Sequence, residues 1–492
     1  MFFINLGLNF LLFLPKYFFF FALLFLLTFS AIYREKKNIY KITLYSLLSI
    51  FFLVFILEAN ATVFVFNSFL ELFISNLYTS SLSMYLLVLA SLFLLAIANT
   101  NIANESIKSF EYILLIGFSI FGLSVLIICN HFLGFYLCLE LQSLSLYILA
   151  SFNYFRNYSA EAGIKYFILG AISSGLILFG ISLIYGITGI LNFSDLFELG
   201  HFISLDTSYT GNLTIALVLL VSGLFFKLGA VPFHLWLPDV YEGAPIITTA
   251  FFAVVPKIMI VGFLTKLFFF FNILPNFYMI FYFSGILSII VGSLGALYQE
   301  KLKRIIAYSA INHIGFVLLG LSSGTFNGFF SSFLYLFIYS LISLNLFIIM
   351  FSLKNSNGTI MNKLNNLIYL KKSNPTLAFS FAILLFSLAG IPPLMGFFNK
   401  LFILLSLSLT NNLYFLLIIV VFSSISSFYY IRMIKMLLFD FNKNYSYVMV
   451  PDKIKSYLIS SLLIFNLCFI MFANIILSSI NSIVITFWAY LW

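Results

Sequence analysis

Charge is what this chain has least of. Only 8% of its 492 residues are Asp, Glu, Lys or Arg, while 63% are hydrophobic and 20% aromatic. A soluble protein of this length needs far more charge on its surface, so the composition demands a polytopic membrane protein. Cysteine is nearly absent too. Cys129, Cys138 and Cys468 are too few to hold a four-thiolate iron–sulfur cluster or to build a disulfide framework, and no metal-ligand spacing appears. Arginine occurs only at positions 34, 156, 304 and 432. The net charge of +9 is scattered over short loops, without the aromatic and basic clustering that binds nucleic acid. No GxGxxG follows a strand-like run, which removes the dinucleotide fold. The first thirty residues hold one basic residue, Lys16. That fits neither a transit peptide nor a cleavable signal, so the N-terminus reads as part of the mature protein.

Apolar residues fill the space that charge leaves. A crossing needs roughly 20 of them, and the chain divides into about fourteen such segments by that rule: 10–32, 39–57, 81–99, 111–129, 131–153, 164–190, 211–237, 245–271, 276–297, 304–322, 326–353, 376–408, 411–438 and 456–488. Nothing between them is long enough for a soluble domain. Phenylalanine occurs 66 times, and the abundance of residues with A/T-rich codons points to an A/T-rich genome such as an organelle's.

The loops sort by charge. Those following odd-numbered segments, with their flanks, carry Arg34, Lys36, Lys37, Lys41, Lys108, Arg156, Lys165, Lys301, Lys303, Arg304, Lys354, Lys363, Lys371, Lys372, Arg432, Lys435, Lys443, Lys453 and Lys455. Those following even-numbered segments carry essentially none, and 191–210 is acidic. The positive-inside rule places the basic side on the cytoplasm or its organellar equivalent, with both termini opposite. Of the remaining cations, Lys16 and Lys266 lie near segment ends and are expected to snorkel to the interface. Glu161 and Lys165 have the spacing of a surface pair on one helix face.

Lys227, Lys257 and Lys400 have no such escape. Lys257 lies about 18 Å along its segment, and Glu140 and His313 are similarly deep in theirs. A charge at that depth costs about 2.5–3.5 kcal/mol, so each needs a partner, water or neutralisation. Burial and a neighbouring carboxylate act in opposite directions on a lysine's hold on its proton. Glu140, Lys227, Lys257, His313 and Lys400 are therefore candidate members of a proton relay. The plainer reading is a set of buried contacts that lock helices together.

Two segments are interrupted. "FFKLGAVPFHLWLPDVYEGAP" has Pro232 just after Lys227, and "LAGIPPLMGFFNKLF" has Gly390, Pro392 and Pro393 before Lys400. The interruptions fall five segments apart, an odd number, so the second copy is inverted relative to the first. Paired broken helices in inverted halves mark a transport site near the bilayer midplane. The expected organisation is residues 1–110 (helices 1–3), a first repeat 111–271 (helices 4–8), a second repeat 276–438 (helices 9–13), and a C-terminal loop and helix at 439–492. His234, Trp236 and Asp239 are expected to support the first break as polar contact, aromatic anchor and helix or turn cap.

With these motifs assembled, the chain resembles the antiporter-like membrane subunits of respiratory complex I, and among them the subunit 2 branch. The resemblance rests on "ELQSLSLYIL", "AGIKYFILGAISSG", "FKLGAVPFHLWLPDVYEGAP", "VPKIMI", "KRIIAYSAINHIGF" and "SLAGIPPLMGFFNKLF", in order between Glu111 and Leu438. It implies an all-α subunit that moves protons while NADH, FMN, iron–sulfur clusters and ubiquinone act on other subunits, so the chain itself has no catalytic redox residue, cofactor or metal. It implies Glu140 and Lys227 as the charged pair, Lys257 as central relay, and His313 with Lys400 towards the exit. The partners implied are the neighbouring membrane-arm subunits and lipid, in the mitochondrial inner membrane, with a plastid thylakoid or bacterial plasma membrane as alternatives. Asn399 stands where the family often has Gly, and Lys16 where many relatives have an acid. Two rival readings remain at this stage: a sodium/proton antiporter of the related family, and a scaffold without conduction.

Overall fold

The computed structural model describes residues 2–33, 39–61, 66–68, 72–98, 109–153, 156–196, 207–271, 278–354, 361–409, 413–440 and 448–491. Where water cannot satisfy backbone N–H and C=O groups, a chain this apolar must satisfy them within helices. It does so in α1 (Phe2–Ile32), α2 (Ile39–Ala61), α3 (Leu77–Ile97), α4 (Phe110–Leu126), α5 (Phe132–Ser151), α6 (Asn157–Thr188) and α7 (Thr207–Leu228). These are followed by α8 (Trp236–Gly243), α9 (Ile246–Phe271), α10 (Tyr278–Leu297), α11 (Leu302–Ser322) and α12 (Phe326–Ser352), then α13 (Pro375–Ala389), α14 (Met395–Ser408), α15 (Leu413–Leu438), α16 (Lys453–Leu467) and α17 (Phe469–Leu491). Twelve of the described helices are long and apolar enough to span a bilayer. The shorter α4, and α13 with α14 taken as one interrupted segment, bring the total to the fourteen expected from sequence.

Three differences from expectation stand out. A small antiparallel hairpin, β1 (Phe66–Ser68) with β2 (Phe73–Ser75), occupies the connection after α2. The last segment is divided at Cys468, between α16 and α17, because 33 residues are too many for one straight crossing. The seventh segment breaks as expected, but its helix already ends at Leu228, ahead of Pro232, and the chain turns before α8.

The connections bear out the odd–even sorting of the loops. Among the even-numbered ones, Ile74 N–H donates to the Ile128 carbonyl, Asn130 to Leu72 and Phe193 to Asn130. Among the odd-numbered ones, Leu302 donates to Asn362, Leu364 to Glu300 and Met449 to Lys354. Each set meets its own kind, as two opposite ends of one helical bundle require.

Burial is uneven. The spanning part of α9 is buried throughout, and α11 and α12 nearly so, whereas α6, α15 and α17 expose most of their surface. Lys257 and His313 therefore sit on the most enclosed helices of the protein, and the apolar outer faces suit lipid or neighbouring helices.

Candidate functional site

Helix α7 stops because Gly229 takes a left-handed conformation (φ 75°), and α13 stops the same way at Gly390 (φ 87°). In both breaks a proline follows the glycine by three residues, Pro232 and Pro393. Only glycine adopts such a φ without a steric penalty, and the proline prevents the helix from resuming. Side chains satisfy two of the backbone groups at the first break. Val231 N–H donates to Ser288 Oγ (3.0 Å), and Trp236 Nε1 donates to the Phe226 carbonyl (2.9 Å). The Trp236 ring stacks on Tyr166, with centroids 4.6 Å apart, so it is an anchor as expected. His234 lies partly buried in the turn.

Asp239 is not the expected cap. Its carboxylate pairs with Lys165 (3.0 Å) and Arg304 (2.8 Å), while Lys165 also keeps its sequence-expected partner Glu161 (2.7 Å). Glu242 pairs with Lys301 and with Arg304 (2.5 Å). The buried Lys303 amine donates to the Ala244 carbonyl (2.5 Å) at the end of α8. Cations gathered near the start of α11 thus hold the short helix α8 that follows the first break.

Glu140 and Lys227, expected as a pair, make no ion pair within 4 Å, although Lys227 lies within electrostatic reach of the carboxylate. The Lys227 amine donates instead to the Tyr147 hydroxyl (3.3 Å) and lies 5.5 Å from that ring's centroid. Ser143 Oγ, one turn from Glu140, approaches its Oε2 at 3.4 Å. A tyrosine therefore stands between the two charges.

The remaining relay candidates converge from α9, α11 and α14. Lys257 is buried, and its amine has no hydrogen-bond partner among protein atoms; it faces the Tyr339 ring, 5.7 Å from the centroid. His313 is buried with both ring nitrogens engaged, Nδ1 with Tyr335 Oη (2.7 Å) and Nε2 with Tyr430 Oη (3.0 Å). It lies within electrostatic range of both Lys400 and Lys257. The Lys400 amine donates to the Ala389 carbonyl (2.7 Å), capping the helix end left open by the second break. A cavity of about 10 Å³ lies among His313, Tyr335, Tyr339, Asn399 and Lys400, close to the volume one water needs in a polar setting.

Of the two cations expected at the interface, Lys16 is buried and Lys266 half-buried. Lys16 forms a buried ion pair with Glu58, whose second oxygen accepts from Ser83. Lys266 donates to the carbonyls of Ile127 and, at 3.5 Å, Cys129 at the end of α4. Nearby, the free thiols of Cys129 and Cys138 stand 3.6 Å apart. The sequence reading missed Glu58 because its segment was closed at residue 57. It missed Tyr147, Tyr335, Tyr339 and Tyr430 because a tyrosine in an apolar run looks like any other core aromatic. The available signal was register: Tyr147 follows Glu140 by seven residues, on the same helix face. Among the described residues no group of His, Cys, Asp and Glu is placed to hold a metal ion.

Residues 129–427 match the family model described as NADH:quinone oxidoreductase/Mrp antiporter, TM. The chain is 40% identical over 441 residues to NADH-quinone oxidoreductase subunit N of Pelagibacter ubique, covering 89% of this chain and 91% of that one. It is 40% identical over 374 residues to NADH-ubiquinone oxidoreductase chain 2 of Marchantia polymorpha, covering 75% and 76%. Among solved structures it is similar to a chain of respiratory complex I from Thermus thermophilus, with TM-score 0.78, 23% identity, and coverage of 94% and 98%. It is also similar to a chain of the Mrp complex from Dietzia, with TM-score 0.79, 18% identity, and coverage of 96% of each.

Proposed function

From the premise that the chain belongs to the NADH:quinone oxidoreductase/Mrp antiporter membrane-subunit family, we propose that it is the subunit 2 (subunit N) type proton-translocating component of an NADH:quinone oxidoreductase. The observation that carries this reading is the set of protonatable groups at and between two glycine–proline helix breaks, with Lys227, Lys257 and His313 buried. Lys257 and His313 lie on the most enclosed helices, Lys227 precedes the first break, and Lys400 caps the second. A scaffold has no use for an amine as isolated as that of Lys257, whose burial costs stability whatever its role. The likeness to the Mrp complex, at 18% identity, supports the fold alone, whereas the 40% identical relatives are oxidoreductase subunits.

In this reading, electron transfer on other subunits, which hold NADH, FMN, the iron–sulfur clusters and the quinone, drives a change that reaches this chain through its membrane-arm neighbours. That change alters the separation of Glu140 and Lys227 and so how tightly Lys227 holds its proton. The proton moves by way of Lys257 and water to His313 and Lys400 and leaves on the side bearing the termini. The two halves, 111–271 and 276–438, act as inverted five-helix units around the row. The membrane is the mitochondrial inner membrane, with the termini on the intermembrane-space side.

The test is replacement of Lys227 or Glu140 by Ala in the assembled complex. NADH-driven proton translocation should fall while the subunit remains in the complex. Undiminished translocation would reject the relay.

A further inference from the structure

The two charges at the start of the relay do not touch; Lys227 meets the Tyr147 hydroxyl and Glu140 the Ser143 hydroxyl. We propose that Tyr147 is a member of the relay, its phenol carrying the proton between Lys227 and Glu140; this rests on the transport reading above.

Glu140, Ser143 and Tyr147 lie at positions i, i+3 and i+7 of α5, one face of the helix, and Lys227 meets that face from α7. The distances are 3.4 Å from Ser143 Oγ to Glu140 Oε2 and 3.3 Å from Lys227 Nζ to Tyr147 Oη. The Ser143 hydroxyl, which also donates to the Glu140 carbonyl at 3.2 Å, lies one helical turn before Tyr147 and turns towards the phenol to complete the path. In the transfer, the Lys227 ammonium gives a proton to the phenol oxygen as the phenol O–H proton passes to Ser143, and the serine proton passes to the Glu140 carboxylate. Lysine ends neutral and the carboxyl protonated. Tyrosine and serine end unchanged, so the step needs no other reactant.

Gly170 makes room for the hydroxyl end of the Tyr147 side chain, ring edge included. A Cβ built at Gly170 would lie 2.0 Å from Tyr147 Oη, closer than to any ring carbon. Helix α6 thus leaves a side chain out where the hydroxyl sits. The same ring meets Tyr166 edge-on at 4.8 Å, and Tyr166 stacks on Trp236 just beyond the first break. A shift of the break therefore has a packed route to the Tyr147 hydroxyl.

The experiment compares Tyr147→Phe, Ser143→Ala and Lys227→Ala in the assembled complex, measuring protons translocated per NADH oxidised and the solvent deuterium isotope effect on coupled turnover. Tyr147→Phe keeps the ring and its packing. The expected result is a fall in the proton ratio of about twofold or more, as for loss of a positioned proton-transfer group, together with a changed isotope effect. A purely structural tyrosine would leave the isotope effect unmoved. Normal coupling in Tyr147→Phe with impaired coupling in Lys227→Ala would reject the tyrosine bridge alone. Normal coupling in both would reject the relay itself. If Tyr147→Phe does not assemble, Ser143→Ala decides: impaired coupling supports the bridge, and undiminished coupling overturns it.

Discussion

Lys257 presents its amine to the Tyr339 ring, 5.7 Å from the centroid, and no protein acceptor reaches that amine. A cation over an aromatic face gains about 0.5–2 kcal/mol, less than the about 2.5–3.5 kcal/mol that insertion of a central charge costs. Lys257→Met should therefore leave the assembled complex as stable as before, or more so, while abolishing proton translocation. Thermal melting of the complex beside a pumping assay checks both halves. Retained pumping would return the row to a structural role.

The imidazole of His313 is held at both nitrogens by tyrosines from different helices, Tyr335 on α12 and Tyr430 on α15. A neutral imidazole donates at one nitrogen and accepts at the other, so the two hydroxyls must play opposite parts. Tyr335→Phe and Tyr430→Phe should each cost about 1 kcal/mol of stability. They should slow coupled turnover unequally, since each removes a different half of the donor and acceptor chain. Equal and negligible effects on turnover would mean that the histidine only ties helices together.

Lys16 and Glu58 form an ion pair in the N-terminal helices, beside a cavity of about 30 Å³ that also borders Ser75, Asn76 and Ser83. Breaking a buried pair on one side leaves an uncompensated charge, at a cost of about 3–5 kcal/mol, whereas replacing both partners is often neutral. Lys16→Met should thus lower the level of assembled subunit sharply, and Lys16→Met with Glu58→Gln should restore most of it. Native gel quantification of the complex distinguishes these outcomes.

The charges around α8 should divide by burial. Asp239 pairs with Lys165 and Arg304 at a partly exposed site, where each pair is worth about 0–1 kcal/mol and is screened by salt. Lys303 is buried and serves the Ala244 carbonyl, whose loss as a partner costs about 1–3 kcal/mol. Lys303→Met should destabilise the subunit more than Asp239→Asn, and only the effect of Asp239→Asn should shrink as ionic strength rises.

The fourteen segments, both helix breaks and the grouping of several connections at two ends of the bundle were legible in the sequence. A bilayer permits few ways to satisfy a backbone, and apolar length, glycine, proline and loop charge report on those few. The breaks at Pro232 and Pro393 could be read because their glycines and prolines act locally. The same local logic misplaced Lys16. Proximity to a segment end looks the same whether a lysine reaches outward to the interface or inward to a partner such as Glu58, which lies 42 residues away.

Contact geometry was decided only in three dimensions. The sequence by itself determined which groups are too costly to bury without purpose, since that depends on residue type and depth alone. It could not determine that Lys227 donates to Tyr147, that Lys257 faces a ring, or that two tyrosines hold His313. Those relations join helices far apart in the chain, and a hydroxyl's direction depends on how closely the neighbouring helix approaches. At Tyr147 that approach is set by the bare backbone of Gly170.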